Sequence, residues 1–162
     1  MSPTACKKSK NALIESAYFA PDREIREKAL LLQTLKDAAL GNTVITSVHG
    51  TGNPIGRLGL VALSVGRVEI ETKPFPVVVI DFLFVDHRYR KQRFGDDRAK
   101  VSEMLIFYAI QEAEAIKKRA GVRYLILRPD GGRENEKLAA FYISMGFQYM
   151  TKRNEWMFLR LS

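Results

Sequence analysis

The stretch "VVVIDFLFVDHRYRKQRFG", residues 77–95, runs from apolar residues into cations and ends on a glycine. From Val77 to Val85 only Asp81 interrupts the apolar run, a pattern that predicts a strand buried on both faces and placed at the centre of a sheet. Beyond it, His87, Arg88, Arg90, Lys91 and Arg93 crowd together before Gly95. A basic loop leading from a buried strand towards a helix N-terminus suits a phosphate or pyrophosphate. The first N–H groups of a helix lack intrahelical acceptors, and the dipole is positive there. A solvated basic surface accounts for the same residues equally well.

Upstream, Ile25, Ala29, Leu32, Leu35 and Ala39 fall at helical spacing between Pro21–Asp22 and Gly41, which predicts an amphipathic helix. "TVITSV" (43–48) and "RLGLVALSV" (57–65) read as strands joined by the turn "HGTGNPIG", and "GRVEI" either continues or follows the second. Downstream, Val101, Met104, Leu105, Tyr108, Ala109 and Ile116 mark one side of a long helix that ends at Lys117, Lys118, Arg119 and Gly121. "VRYLILRP" is a second buried strand. "ENEKLAAFYISMGF" places Leu138, Phe141 and Tyr142 on a short helix stopped by Gly146, and "FQYM" and "EWMFLRL" close the chain as a hairpin. This order predicts an α/β (α+β) fold with a mixed sheet flanked by helices. It divides as a tail over 1–20 and one domain over 21–162.

Composition narrows the chemistry. With 162 residues and 46% hydrophobic content, the chain can bury a sizeable core without disulfides. Lys and Arg number 26 against 18 Asp and Glu, a formal charge of +8 that favours phosphate-bearing partners. The single cysteine, Cys6, fits a reducing, cytoplasmic setting. No apolar stretch approaches a membrane span, and Glu15 and Ser16 interrupt the start as a signal peptide. Two histidines, His49 and His87, and one cysteine give no metal-ligand spacing. No Gly-x-Ser-x-Gly elbow is present, and the Gly-rich 50–56 segment lacks dinucleotide-binding spacing.

Asp81 is a lone carboxylate within an apolar run. Buried and unpaired it would have a raised pKa suited to a general base, whereas an ion pair with Arg123 or Arg128 would make it structural.

Val85, Arg90 and Gly95 are similar in register to the acyl-CoA pyrophosphate loop of the GNAT superfamily of N-acetyltransferases. A second resemblance lies downstream in Asn135, Tyr142, Gly146 and Phe147. Together these cover about residues 43–161. The resemblance implies a sheet splayed between the central strand and "RYLIL", with acetyl-CoA as cosubstrate in the gap and no metal. It implies that the backbone of Leu83, Phe84 and Val85 pairs with pantetheine and that Arg90, Lys91, Gln92, Arg93, Phe94 and Gly95 hold pyrophosphate. Asn135 becomes a cofactor contact or a helix-start residue. Tyr142 becomes the acid that protonates the departing sulfur, against a plain packing role.

Two departures stand out. Arg93 occupies the position of the first loop glycine, so its side chain either turns outward or binds the nucleotide phosphate itself. "GDDRAK" precedes the apolar stripe, so the helix either starts early on Asp96 or Asp97 or follows an enlarged loop. The acceptor implied is a primary amine: aminoacyl-tRNA, as in the GNAT toxins, a small amine or a protein amine. A homodimer is compatible with the resemblance. The competing reading is a non-catalytic module of the same fold that binds acyl-CoA or RNA.

Overall fold

The computed structural model describes residues 12–51 and 56–162. A helical turn, α1, spans 12–16. It is followed by α2 (Glu24–Ala39), β1 (Val44–His49), β2 (Arg57–Ile70) and β3 (Lys73–Val85). A 3-10 turn (His87–Tyr89) leads to the two-residue strands β4 (Arg93–Phe94) and β5 (Ala99–Lys100), then α3 (Val101–Ala120) and β6 (Tyr124–Leu127). A second 3-10 turn (Gly132–Glu134), α4 (Glu136–Ser144), β7 (Gln148–Tyr149) and β8 (Met157–Arg160) complete the chain. The main sheet has the strand order β1-β2-β3-β6-β8-β7. β6 runs parallel to β3, while β8 is antiparallel to both β6 and β7, giving the expected mixed sheet with helices.

Cys6 and most of the turn between β1 and β2 lie outside the described residues. The turn's flanks do meet, since Gly50 N donates to Gly56 O at 3.0 Å. "GRVEI" continues β2 rather than forming its own strand.

Two compact units divide the chain, and β2 and β3 each pass through both. The first holds residues up to Ala62 with Phe82–Ser102; the second holds Leu63–Asp81 with Glu103–Ser162. In the first unit, Leu31, Leu35, Leu60 and Phe84 form a buried cluster, and Leu13, Ile14, Ala17, Phe19, Ile45 and Phe82 pack against it. Each such buried side chain contributes about 1.5–3 kcal/mol of transfer free energy.

The helix over 24–39 forms as expected, but its buried face differs from the predicted stripe. Leu31, Thr34 and Leu35 are buried, whereas Ile25 is 89% exposed and Leu32 40%. Two apolar stripes lie side by side on this helix, and spacing alone does not choose between them. The aliphatic cluster selects the stripe carrying Leu31 and Leu35.

In the second unit, the β3–β6 ladder runs from Val77↔Tyr124 to Ile80↔Leu127, where β6 ends; β3 itself continues to Val85. The long helix buries Val101, Leu105, Ile106, Ala109 and Ala113. It keeps the predicted Val101, Leu105 and Ala109 and draws in Ile106 and Ala113, while Met104, Tyr108 and Ile116 are half-buried.

Candidate functional site

Asp86, the first residue past β3, organises the basic loop. It is 3% exposed, and its carboxylate accepts from Tyr18 N at 3.1 Å, Arg88 N at 3.1 Å, Arg88 Nε at 2.9 Å and Arg88 Nη2 at 3.0 Å. Four donors offset the cost of burying the charge. The bond to Asp86 holds the Arg88 pKa above its ordinary value, and the guanidinium stacks 3.9 Å from the Tyr18 ring centre. Composition and motif spacing do not mark Asp86. Its local signal is an acceptor two residues before a basic residue, a geometry that starts a tight turn.

Arg90 is held in a comparable way. Its Nε donates to Val85 O at 3.0 Å, and its Nη2 donates to both oxygens of Glu27, at 2.8 and 2.9 Å. Glu27 also accepts from Ala20 N at 3.1 Å. The predicted phosphate ligand thus ties the loop to α2. Nothing near Arg90 in sequence announces Glu27, which lies 63 residues away.

The residues after it form the enlarged loop, which resolves one of the two alternatives. Arg93 and Phe94 pair with Lys100 and Ala99 in a two-stranded ribbon, and α3 starts directly after it at Val101. Asp96 and Asp97 therefore sit in the turn and do not cap the helix. Arg93 is exposed and donates to Arg98 O at 2.7 Å, closing the ribbon on itself. Gly95 has φ of 70°, a conformation that favours glycine. Phe94 meets the Tyr89 ring edge-on at 6.1 Å between centroids. Gln92 donates to Arg88 O, and Lys91 is exposed.

Along β3 the two faces separate after Val78. Ile80 and Phe84 are buried, while Val79, Leu83 and Val85 are half-buried and Asp81 is exposed. The expectation of a carboxylate buried within the strand is therefore corrected: beyond the β3–β6 ladder the odd-numbered face of β3 is not covered as an interior strand would be. Arg128 pairs with Glu155, and Arg123 lies over the Phe75 ring at 5.7 Å.

Tyr142 stands on α4 in the second unit. It is 6% exposed, between Phe141 at 5.2 Å and Phe147 at 6.0 Å. Burial, with the Asp130 charge adding to it, pushes its pKa up to about 12, so the hydroxyl keeps its proton at neutral pH. Asn135 caps the helix: its Oδ1 accepts from Leu138 N at 3.3 Å, and its Nδ2 donates to Asp130 O at 3.1 Å. Its side chain performs the expected helix-start role.

The loop before Asn135 is built on Gly131 and Gly132, with φ of 84° and 61°. A Cβ on Gly132 would collide with Glu155 Oε1, and Glu155 is itself held by the guanidinium of Arg128. Arg133 donates to Asn154 O at 2.8 Å and Thr151 O at 2.6 Å. Among the described residues no group of three His, Cys, Asp or Glu is placed to hold a metal ion. None of the described helices is long and apolar enough to cross a membrane.

No family model matches the chain, and no curated protein does. Solved structures do. A Tyr-to-Phe mutant of KacT superposes with a TM-score of 0.70 at 17% identity, over 91% of this chain and 87% of that one. AtaT complexed with acetyl-methionyl-tRNAfMet gives 0.68 at 17% identity, over 91% and 86%. A Tyr-to-Phe mutant of the AtaT toxin, bound to the C-terminus of the antitoxin AtaR and acetyl-CoA, gives 0.65 at 20% identity, over 84% and 81%. The chain thus shares its fold with KacT and with the AtaT toxin.

Proposed function

We propose that this protein is an acetyl-CoA-dependent N-acetyltransferase, with the amine of an aminoacyl-tRNA as its acceptor. The observation that carries the reading is the course of β3. Its ladder with β6 ends at Ile80, the strand runs on to Val85, and a glycine-turned loop then delivers the chain to the start of α3. In this reading the backbone of Leu83, Phe84 and Val85 pairs with the pantetheine amides.

The residues present fit the pyrophosphate in a modified form. Arg88, Arg90 and Arg93 each spend guanidinium N–H groups on acceptors within the protein, so in this reading the pyrophosphate is held mainly by the loop backbone up to Gly95, by Lys91 and by the first N–H groups of α3. Acetyl-CoA supplies the thioester. The acceptor's neutral amine attacks its carbonyl carbon, and the C–S bond breaks. Tyr142 donates its proton to the departing sulfur, and Asp81, on the open face of β3, accepts the amine proton through solvent. The net charge of +8 and the complex of AtaT with acetyl-methionyl-tRNAfMet support a tRNA-borne acceptor.

The test is thiol release from acetyl-CoA with aminoacyl-tRNA, small amines and peptide amines. Aminoacyl-tRNA is expected to turn over, and Tyr142→Phe to lower kcat by about 10²–10⁴ with little change in the KM for acetyl-CoA. Absence of turnover with every acceptor, together with salt-sensitive RNA binding that needs no CoA, would replace the enzyme by a binding module.

A further inference from the structure

A cleft of about 230 Å³ opens in the first unit, with Ala17, Arg57, Gly59, Phe84, Asp86 and Arg88 among its walls. Two guanidinium groups and one carboxylate meet there. Asp86 and Arg88 neutralise each other through paired hydrogen bonds, which leaves the charge of Arg57 in excess. Among the described residues the buried Arg57 Nε has no hydrogen-bond partner. A buried N–H on a cation is costly when unmade and strongly favourable when an anion accepts it. Residues 52–55, which precede Gly56 and Arg57 in sequence, contain no Asp or Glu, and Glu15, next to the wall residue Ser16, is exposed. Space is also available, since a Cβ placed on Gly56, another wall residue, would meet nothing within 4 Å.

We infer that this cleft binds a small oxyanion, a phosphate or a carboxylate, with Arg57 as principal donor and the remaining N–H groups of Arg88 as the second contact. The volume is that of several waters, at about 30 Å³ each, enough for such a group with part of its hydration. Phe84 is shared with the residues assigned to acetyl-CoA through its backbone only, and Ala17, Arg57 and Gly59 are not shared, so the anion donors of this inference are separate from the enzyme reading.

The experiment is titration of the full chain with inorganic phosphate and, separately, with acetate at low ionic strength. Each is followed by calorimetry and by the shift in melting temperature, with and without saturating coenzyme A. Saturable binding of at least one anion is expected, and the stronger of the two identifies the source. Arg57→Leu should weaken it by about tenfold or more, and Arg57→Lys by less; coenzyme A should leave it in place. Should Arg57→Leu fail to fold by circular dichroism, Arg57→Gln serves instead. Three results would each overturn the inference: no binding of either anion, binding unchanged by removal of the guanidinium, which would mean that water satisfies Arg57, or displacement by coenzyme A.

Discussion

Tyr142 shows how sequence spacing can place a residue without giving its protonation state. Its spacing from Asn135 and Gly146 marks a helix position, and the aromatic neighbours Phe141 and Phe147 favour packing. The protonation state follows from burial and from the charge of Asp130, which spacing does not contain. The folded-state pKa is raised from the ordinary 10.0 to about 12. Hence the folded protein holds this proton more tightly, and the resulting stability is complete below about pH 10 and is lost as the pH rises towards 12. A shift of that size corresponds to about 3 kcal/mol. Urea unfolding at pH 9 and at pH 11.5 should show the native protein losing more stability than Tyr142→Phe between the two. Equal losses would mean that the hydroxyl is not buried in solution.

At the scale of elements, two loops owe their shape to partners distant in sequence. Arg90 and Gly95 could be picked out from the loop itself, but Glu27 could not, because ion pairing across 63 residues leaves no local pattern. If Arg90 acts by holding the loop, then both Arg90→Gln and Glu27→Gln should raise the KM for acetyl-CoA by about tenfold with kcat nearly unchanged. An effect of Arg90→Gln alone would return Arg90 to direct contact with phosphate. Gly132 makes the same point for the loop before α4. Gly132→Ala meets both a left-handed backbone and the Glu155 carboxylate, while Gly121→Ala meets only the former, at φ of 66° with nothing within 4 Å. Denaturant unfolding should find Gly121→Ala destabilised by about 1 kcal/mol and Gly132→Ala by up to about 1 kcal/mol more, the most that displacing the exposed Glu155–Arg128 pair costs.

For the whole molecule, net charge is the property that bears most directly on the proposed acceptor. A net +8 predicts binding to an RNA hairpin that weakens by about tenfold or more between 50 and 200 mM salt in a gel-shift or anisotropy assay. A flat salt response would remove the electrostatic argument for a tRNA acceptor. The sequence by itself determined the order of helices and strands, the central place of β3 and the positions of Gly95, Asn135 and Tyr142. Each of these rests on local periodicity, on turn chemistry or on motif spacing carried by neighbouring residues. Tertiary structure alone decided which stripe of α2 is buried, that Asp81 faces outward, that Arg88 and Arg90 are engaged by Asp86 and Glu27, and that Arg57 is left with a buried N–H. Those outcomes depend on which surfaces meet and which charges end up close enough to pair, and sequence spacing records neither distance nor burial.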